Sequence, residues 1–364
     1  MSKKIIIAGG GTGGHIFPAV AIANALKTKE PSLTILFIGA KGKMEMEKIP
    51  QAGYEIKGLD IAGFNRSSLI KNVALPFKLM KSFVQVATIF KDFRPDGVVG
   101  VGGYSTYPVL RYAQNKGIPT FIHESNSFAG KSNILLGKKA TKIFVSGAGM
   151  EKFFPKEKLL ITGNPVRTTI AAMNIDKEDA IRFFGLEPQK KTVLVTGGSL
   201  GAKNINEKIA SAIDEFGKHD LQLIWQAGRA FAPTAKQVSE GKDNIWTGDF
   251  ITRMEYAFAA ADIVVSRSGA MAVSELSVAR KPVIFVPFPF AAEDHQTVNA
   301  KRLTEKQAAL MVTDEQVNDQ LMSTIIQLAK DENKQNELKK NIQAFAVKDA
   351  DEVIAHEILR TIHD

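Results

Sequence analysis

Two segments of the chain share one pattern, in which a short apolar strand runs into a glycine loop and the loop runs into a helix. The first segment is IIIAGGGTGGHIFPAVAIANAL at Ile5–Leu26, and the second is TVLVTGGSLGAKNINEKIASAI at Thr192–Ile213. A strand that is apolar throughout and leads directly into a helix is typical of parallel α/β sheets. The duplication therefore predicts an α/β fold with two Rossmann-like parallel-sheet domains facing a cleft.

Short apolar strands alternate with helical patterns along most of the chain, and its 364 residues exceed what one hydrophobic core usually serves. We place an N-terminal domain at residues 1–162, a C-terminal domain at 163–345, and a final helix at 346–364 that packs back on the N-terminal domain. The Gly163-Asn164-Pro165 stretch marks the boundary. Strands are expected at Lys4–Ala8, Thr34–Ile38, Gly97–Val101, Thr120–His123, Lys142–Val145, Thr192–Thr196, Gln222–Gln226, Asp262–Ser266, Val283–Val286 and Ala308–Val312, and helices at Phe17–Lys27 and Asn204–Phe216 among others.

Composition excludes several kinds of chemistry. The chain has no cysteine, so disulfides, thiolate metal sites and cysteine nucleophiles are absent. We expect no signal peptide, and the longest nearly apolar run is far shorter than a membrane-spanning helix. Residues 1–162 carry a net charge of +13, whereas residues 163–364 carry −4. The basic half predicts an anionic partner, with nucleic acid and anionic lipid as candidates and simple solubility as the alternative.

The two glycine loops, Gly9–Gly14 and Gly197–Gly201, are suited to phosphate groups. A loop that turns into a helix exposes the first N–H groups of that helix, and glycine allows close approach of an anion. We expect the two loops to hold the diphosphates of two different substrates. A tight turn without a ligand is the alternative for each loop.

The first loop also matches the dinucleotide pattern G-x-G-x-x-G at Gly9, Gly11 and Gly14. That interpretation requires an acidic residue at the end of the second strand to bind ribose, but the strand ends FIGAKGK and the next carboxylate is Glu45. NAD is disfavoured, and NADP stays open. His15, directly after the loop, is either a general base or a histidine that only hydrogen-bonds the loop.

Seven motifs together resemble the MurG family of glycosyltransferases, and they follow one another in the family's order across essentially the whole chain. The resemblance implies the GT-B fold, with the acceptor on the N-terminal domain and UDP-N-acetylglucosamine on the C-terminal domain. It implies an inverting transfer of N-acetylglucosamine to the 4-hydroxyl of undecaprenyl-diphospho-N-acetylmuramoyl-pentapeptide, without a cofactor. The motifs are GGGTGGHIFPAVAIA (9–23), GGYSTYP (102–108), HESNSFAGKSN (123–133), GNPVR (163–167), GGSLGA (197–202), SRSGAMAVSE (266–275) and PFPFAAEDHQTVNA (287–300).

The resemblance also implies the residues of the site. His15 becomes the candidate base, Glu275 the carboxylate that accepts both ribose hydroxyls, and Gln296 the amide that bonds the sugar. The donor set is Thr12, Gly13, Gly14, Asn126, Arg167, Ser199, Phe250, Ile251, Ala270, Met271, Ala272, Val273, Ser274, Glu275 and Gln296. The set for the acceptor diphosphate is Gly10, Gly11, Gly102, Gly103, Tyr104, His123 and Glu124.

Some positions depart from the family pattern, namely Ser125, Leu200, Met271-Ala272 and His295, and Ser125 and Leu200 replace the more usual glutamine. No metal is expected. The D-x-D sequence with which other nucleotide-sugar transferases hold a divalent cation occurs only once, as Asp349-Ala350-Asp351. It lies at the start of the terminal helix, where acidic residues favour capping. The rival functions are a diacylglycerol glycosyltransferase, a dinucleotide-dependent oxidoreductase, and a non-catalytic RNA- or lipid-binding protein.

Residues Leu69–Phe90 combine a wide apolar helical stripe with surrounding basic residues. This combination predicts a helix lying on anionic lipid, and a helix packed on the sheet is the alternative. We expect a peripheral protein on the cytoplasmic face of the bacterial membrane. Its expected partners are UDP-N-acetylglucosamine, the lipid-linked muramyl acceptor (lipid I) and an anionic membrane surface, with no nucleic acid. The basic residues are Arg66, Lys71, Lys78, Lys81, Lys91 and Arg94.

Overall fold

The computed structural model describes residues 2–63, 75–198, 201–291 and 294–363. The chain divides into two compact units. Unit 1 comprises Met1–Arg167 together with Lys348–Asp364, and unit 2 comprises Thr168–Val347. Each unit is built on one parallel sheet with helices on its faces.

Unit 1 contains a seven-stranded sheet in the order β3-β2-β1-β4-β5-β6-β7, and every adjacent pair is parallel. The order reverses between β1 and β4, because the chain adds strands outward on one side of β1 and then on the other. The strands are β1 (Lys4–Ala8), β2 (Thr34–Ala40), β3 (Glu55–Leu59), β4 (Gly97–Gly100), β5 (Thr120–Glu124), β6 (Lys142–Val145) and β7 (Leu159–Ile161).

Both faces of this sheet are covered, so alternate residues of one strand enter different cores. Ile5 and Ile7 pack in one core with α1 (Gly13–Lys29) and α16 (Ala350–His363), whereas Ile6 and Ala8 face the other core. All four residues are inaccessible to solvent, which explains why the strand is apolar at every position. The remaining helices of unit 1 are α2 (Glu45–Gln51), α3 (Leu75–Phe93), α4 (Thr106–Asn115) and α5 (Lys131–Gly137).

The terminal helix α16 packs along α1 through Ile354, Ala355 and Ile358, which are fully buried. An ion pair from Lys29 to Glu352 joins the same two helices, and Nε2 of His363 is hydrogen-bonded to the carboxylate of Glu30, the residue that follows α1. Unit 1 is therefore completed by residues from the end of the chain.

The apolar stripe on α3 is divided between two environments. Val86 and Phe90 are buried in the core of unit 1, whereas Phe77, Met80 and Val84 are 75%, 70% and 68% exposed. Leu69, Val73, Arg66 and Lys71 lie outside the described residues. Among the residues that the structure describes, no helix is long and apolar enough to cross a membrane.

Unit 2 contains a six-stranded parallel sheet in the order β10-β9-β8-β11-β12-β13. The strands are β8 (Lys191–Thr196), β9 (Leu221–Gln226), β10 (Ile245–Gly248), β11 (Ile263–Ser266), β12 (Val283–Phe285) and β13 (Leu310–Met311). The helices are α6 (Thr168–Ala171), α7 (Lys177–Phe183), α8 (Lys203–Ser211), α9 (Ile213–Lys218), α10 (Ala232–Val238), α11 (Met254–Ala260), α12 (Ala270–Ala279), α13 (His295–Thr304), α14 (Val317–Lys330) and α15 (Glu332–Ile342).

The predicted α/β class with two Rossmann-like parallel sheets is confirmed, and every predicted strand overlaps a strand of the structure. Three strands escaped prediction, namely β3, β7 and β10, and all three are sheet edges. Edge strands are short and half exposed, so they lack the continuous apolar signal of the central strands. Two predictions were wrong in detail. The helix expected at Asn204–Phe216 is interrupted at Ala212, and β13 is shorter than Ala308–Val312.

Candidate functional site

Each sheet has one point where its strand order reverses, and ligands of open α/β sheets bind outside the carboxyl ends of the strands there. In unit 1 this point lies between β1 and β4, which lead into the loops Gly9–Gly14 and Val101–Tyr104. In unit 2 it lies between β8 and β11, which lead into the loops Gly197–Gly201 and Arg267–Gly269. Most of the residues predicted from sequence therefore lie at two switch points, one in each unit.

In unit 1 the two loops pack backbone against backbone. The N–H of Gly10 donates to the carbonyl of Gly102 over 3.2 Å. A Cβ on Gly103 would lie 2.4 Å from the Gly10 oxygen, and Gly103 has a φ of +94°, which disfavours any other residue. The hydroxyl groups of Ser105 and Thr106 bond to the carbonyls of Ile38 and Ala8 and so fix the start of α4 against β2 and β1. The glycines of GGYSTYP therefore serve this close packing.

The N–H groups available to an anion in unit 1 belong to the start of α1. Gly10 and Gly11 donate within the protein, Gly10 to Gly102 and Gly11 to the carboxylate of Glu45 over 2.7 Å. The first N–H groups of a helix precede any intrahelical acceptor. Thr12, the N-cap residue of α1, forms no side-chain cap bond, and the first turn contains no acidic residue. Gly13 and Gly14 thus offer the donors that the sequence had assigned to the whole loop.

His15 lies beside these donors in a defined tautomer. Its Nδ1 is 2.9 Å from the carbonyl oxygen of Gly10. A carbonyl can only accept, so the proton of a neutral ring is on Nδ1 and the lone pair is on Nε2. A Cβ on Gly102 would lie 2.7 Å from Nε2, so glycine makes room for the ring. His15 can therefore accept a proton at Nε2.

His123 is buried at the end of β5, and its surroundings keep it neutral. The pKa of His123 is lowered to about 4, chiefly by burial and to a smaller extent by the nearby His15, although contacts with Asn164 and with the backbone of Gly163 act to raise it. A neutral ring cannot neutralise a diphosphate by charge. The structure therefore favours a supporting position for His123 behind His15.

Glu124 is almost fully buried, and it organises its own loop. One carboxylate oxygen accepts from the backbone and side-chain N–H groups of Asn126 at 3.1 and 3.2 Å. The other accepts from the N–H of Gly130 at 3.0 Å and the side chain of Asn133 at 2.9 Å. Both oxygens are engaged inside the protein, so Glu124 holds Asn126 and the start of α5 in place.

Two further predicted residues have defined contacts in unit 1. The guanidinium carbon of Arg167 lies 4.8 Å from the centre of the Phe17 ring on α1, which is a cation–π distance. The ring of Tyr104 is half exposed and covers Gly63, where a Cβ would lie 2.0 Å from the ring. Both side chains are near the surface of unit 1 beside the loops described above.

In unit 2 a glutamine that sequence reasoning missed connects three segments. The buried Gln226 donates through Nε2 to the carbonyl of Gly198 over 3.0 Å and to the hydroxyl of Thr196 over 3.2 Å. Its Oε1 accepts the N–H of Ile251 at 2.9 Å. The backbone donor of Ile251 is thereby used within the protein, and its carbonyl is the group that a uracil N–H could meet. Phe250 beside it is half buried, and Ser199 lies outside the described residues.

The helix α12 starts at the unit 2 switch point, and no side chain caps its first N–H groups. Its N-cap residue Gly269 provides no side-chain bond, and the first turn, which contains Ala270, Met271, Ala272 and Val273, has no acidic residue. The Oε1 of Gln296 accepts the N–H of Phe288 at 3.0 Å, and its Nε2 lies 4.0 Å from the position of a Cβ on Gly269. Glu275 is buried further along the same helix, and the hydroxyl of Ser274 bonds to the carbonyl of Ala270.

Arg267 holds the loops around this helix, and sequence reasoning had assigned it no role. It donates to the carbonyls of Val286 and Pro287 and forms an ion pair with Asp314 at 2.6 Å, in which both side chains are about nine-tenths buried. Such a paired, hydrogen-bonded guanidinium can fix several segments at once. The motif SRSGAMAVSE supplied the signal, because a charged residue directly after a buried strand is unusual.

No group of three or more histidine and carboxylate side chains within the described ranges is arranged to hold a metal ion. That the reaction requires no metal stays a prediction, which chelation tests.

Comparison with known proteins agrees with this architecture. Residues 5–145 match the glycosyltransferase family 28 N-terminal domain, and residues 192–354 match its C-terminal domain. The UDP-N-acetylglucosamine--N-acetylmuramyl-(pentapeptide) pyrophosphoryl-undecaprenol N-acetylglucosamine transferase of Parabacteroides distasonis is 47% identical over 361 residues, which are 99% of this chain and 98% of that protein. The Flavobacterium psychrophilum protein of the same name is 48% identical over 359 residues, with 99% and 98% covered.

Among solved structures, the crystal structure of Acinetobacter baumannii MurG superposes with a TM-score of 0.73 at 28% identity, and it covers 98% of this chain and 99% of that chain. Its agreement extends over both units and therefore confirms the predicted GT-B class. From the full-length identity and the two matching domains, the chain belongs to the MurG family of glycosyltransferases.

Proposed function

We propose that the chain transfers N-acetylglucosamine from UDP-N-acetylglucosamine to the 4-hydroxyl of undecaprenyl-diphospho-N-acetylmuramoyl-pentapeptide, converting lipid I to lipid II in peptidoglycan synthesis. The names of its relatives support this activity over nearly the full length of the chain. The structural observation that carries the proposal is a pair of uncapped helix starts, α1 in unit 1 and α12 in unit 2, each at a switch point. Each start suits one diphosphate.

Unit 2 is the proposed donor site. The N–H groups at the start of α12 receive the diphosphate of the nucleotide sugar, and the carboxylate of Glu275 accepts from the ribose hydroxyls. Gln296 offers Nε2 to a sugar hydroxyl, because its Oε1 already accepts from Phe288. The carbonyl of Ile251 meets the uracil N–H, and Phe250 lies over the base.

Unit 1 is the proposed acceptor site. Gly13 and Gly14, which the resemblance assigned to the donor set, are instead proposed to donate to the acceptor diphosphate. Gly10 and Gly11 only allow the diphosphate to approach closely, since their N–H groups are engaged elsewhere. Asn126, which Glu124 holds in position, and Tyr104 line the same end of the sheet. His15 receives the proton at Nε2.

The proposed reaction is a single displacement. The oxygen of the muramyl 4-hydroxyl forms a bond to the anomeric carbon, and the bond from that carbon to the diphosphate oxygen breaks. The hydroxyl proton passes to Nε2 of His15. UDP leaves with the bonding electron pair, its developing charge is stabilised by the N–H groups of α12, and the configuration at the anomeric carbon inverts.

We further propose that α3 attaches the protein peripherally to the cytoplasmic face of the membrane. Phe77, Met80 and Val84 form an exposed apolar row, the exposed cations Lys78 and Lys91 lie on the same helix, and Arg94 directly follows it. The adjoining cavity of about 690 Å³ is lined by α3 and by residues of α4 and its C-terminal end, including Lys91, Arg94 and Lys116. Apolar side chains surrounded by cations suit an anionic lipid surface. Lys81 contributes less, because it pairs with Asp60 at 2.8 Å.

The activity is tested by a transfer assay with labelled UDP-N-acetylglucosamine and a short-chain lipid I analogue. We expect a labelled lipid II product, weak competition by UDP-glucose and UDP-galactose, and activity that persists in EDTA. The variant Glu275→Gln should weaken UDP binding, since the amide has one acceptor oxygen where the carboxylate has two. Transfer to diacylglycerol instead of the muramyl lipid, or hydride transfer with NADH or NADPH, would replace the proposal.

Membrane attachment is tested by flotation with vesicles of phosphatidylglycerol or phosphatidylcholine. We expect wild-type protein to float with the anionic vesicles, and Phe77→Ser with Met80→Ser to reduce that fraction. Phe290→Ser is the control, because Phe290 is a phenylalanine on unit 2 that is at least as exposed as Phe77. Equal losses in both variants would refute a specific role for α3.

A further inference from the structure

Glu45 is a buried carboxylate that the proposed mechanism does not use. It begins α2, and only 1% of the residue is exposed. Its Oε2 accepts the N–H of Gly11 at 2.7 Å, and its Oε1 accepts the N–H of Ala40 at 3.0 Å. Gly11 follows β1 and Ala40 ends β2, so one carboxylate joins the carboxyl ends of two neighbouring strands.

The glycine loop is built around this carboxylate. A Cβ on Gly10 would lie 2.2 Å from the Glu45 carboxyl carbon, and a Cβ on Gly39 would lie 2.5 Å from its Cγ. No side chain could replace either glycine without displacing Glu45. The Glu45 carboxylate therefore fits in its place only because Gly10 and Gly39 have no side chains.

The contact at Gly11 has a consequence for His15, because Glu45 and His15 are hydrogen-bonded to the same peptide group. The peptide that carries the N–H of Gly11 also carries the carbonyl of Gly10, because both belong to one planar amide. Glu45 accepts from one end of this amide, and Nδ1 of His15 donates to the other end over 2.9 Å. The amide orientation that Glu45 fixes is therefore the orientation that fixes the His15 tautomer.

We infer that Glu45 is a positioning residue for the acceptor half of the reaction, holding the Gly10–Gly11 amide so that His15 keeps Nε2 free as proton acceptor. The inference rests on the proposed function. It goes beyond that function because Glu45 touches neither substrate nor the reacting atoms. Hydrogen bonds to a charged acceptor are also the stronger ones, so the amide is held firmly.

The decisive variant is Glu45→Gln, which keeps the size of the side chain. A carboxylate accepts at both oxygens, whereas an amide accepts at one and presents an NH₂ group at the other. The N–H group of either Gly11 or Ala40 would then face the NH₂ group of the glutamine instead of an acceptor. We expect kcat/KM for the lipid I analogue to fall roughly 10- to 100-fold, the range for losing a hydrogen bond to a charged group, while UDP affinity stays unchanged. Glu47→Gln is the control, because Glu47 lies on the same helix with an exposed side chain.

A second measurement separates positioning from mere folding. The ¹⁵N chemical shifts of the His15 imidazole should show the Nδ1–H tautomer in wild-type protein and a mixture in Glu45→Gln. Glu45→Asp keeps the charge but shortens the reach, and it should shift the tautomers in the same direction. Hydrogen exchange of β1 and β2 reports whether unit 1 stays folded.

The outcomes are distinct. A shifted tautomer with a folded unit 1 supports the inference, and wild-type tautomer populations in both variants overturn it. Loss of exchange protection in both variants also overturns it, in favour of a purely structural role. If wild-type protein forms no lipid II product, the proposed function fails, yet the tautomer measurement still decides whether Glu45 positions His15.

Discussion

Low pH should lower the folding stability of unit 1 through protonation of His123. The pKa of His123 is lowered by burial from 6.5 to about 4, so the folded protein keeps this ring neutral where the unfolded chain already binds a proton. The contribution of the neutral ring to the free energy of unfolding of unit 1 is fully present above pH 6.5 and is lost as the pH falls towards 4. At 1.36 kcal/mol for each pH unit between the two values, the total is about 3 kcal/mol, of which about 2 kcal/mol is lost by pH 5.

The comparison is wild type against His123→Asn, at pH 7.5 and pH 5. The variant loses some stability at both pH values, because the buried site is changed, but it has no titrating ring. Wild-type unit 1 should therefore lose about 2 kcal/mol more than variant unit 1 over this interval. Intrinsic fluorescence is unsuitable, since both tryptophans, Trp225 and Trp246, are in unit 2.

Hydrogen exchange at increasing urea concentration, followed by mass spectrometry, resolves the two units. Peptides covering β1 and β5 report on unit 1, and peptides covering β8 provide an internal control in unit 2. Equal pH dependence of unit 1 in both proteins would refute the argument, because it would mean that His123 is protonated in the folded state or is accessible to water.

Three further predictions concern the two switch points. Gly269→Asp should cap α12 and raise the stability of unit 2 by a few tenths of a kcal/mol, as urea unfolding will show. The same carboxylate would occupy the place of the diphosphate, so calorimetry should show UDP binding weakened at least about tenfold. Gly103→Ala should destabilise unit 1 by more than about 1 kcal/mol in thermal unfolding, and by more than Gly11→Ala does. Both glycines have a positive φ, but only at position 103 would the new Cβ clash with the backbone. Gln226→Glu should weaken UDP binding, because a carboxylate cannot donate to the Gly198 carbonyl while it accepts from Ile251; titration with UDP measures the change.

The central strands and the glycine loops could be predicted because their signals are local. Ile5, Ile6 and Ile7 are buried on both faces of a sheet, and the sequence shows this as an unbroken apolar run. The edge strands β3, β7 and β10 gave no such signal, since one side of each is not covered by another strand. The break at Ala212 also gave no signal in the sequence, because alanine favours helix.

The positions of the site residues along the sequence could be predicted better than their hydrogen-bond partners. Gly10 and Gly11 lie in the loop where the pattern places them, but their donors are used by Gly102 and Glu45. In the sequence, Glu45 stands out only as a carboxylate that lies too far beyond the second strand to bind ribose. Its partners come from two different strand ends, which only the folded sheet brings together. Gln226 escaped for the same reason.

The duplicated strand, loop and helix pattern predicts two equivalent anion sites, but the structure shows why the two units are not equivalent. In unit 1 the second loop, at Gly102 and Gly103, packs against the first, and the free donors are at α1, the helix that follows the first strand. In unit 2 the second loop ends at Gly269 and leads into α12, whose uncapped start lies beside the amide of Gln296. Unit 2 therefore offers two uncapped helix starts at its switch point, α8 after the first loop and α12 after the second. The duplicated pattern thus predicts the first loop of each unit, and the loop after the neighbouring strand makes the two units differ.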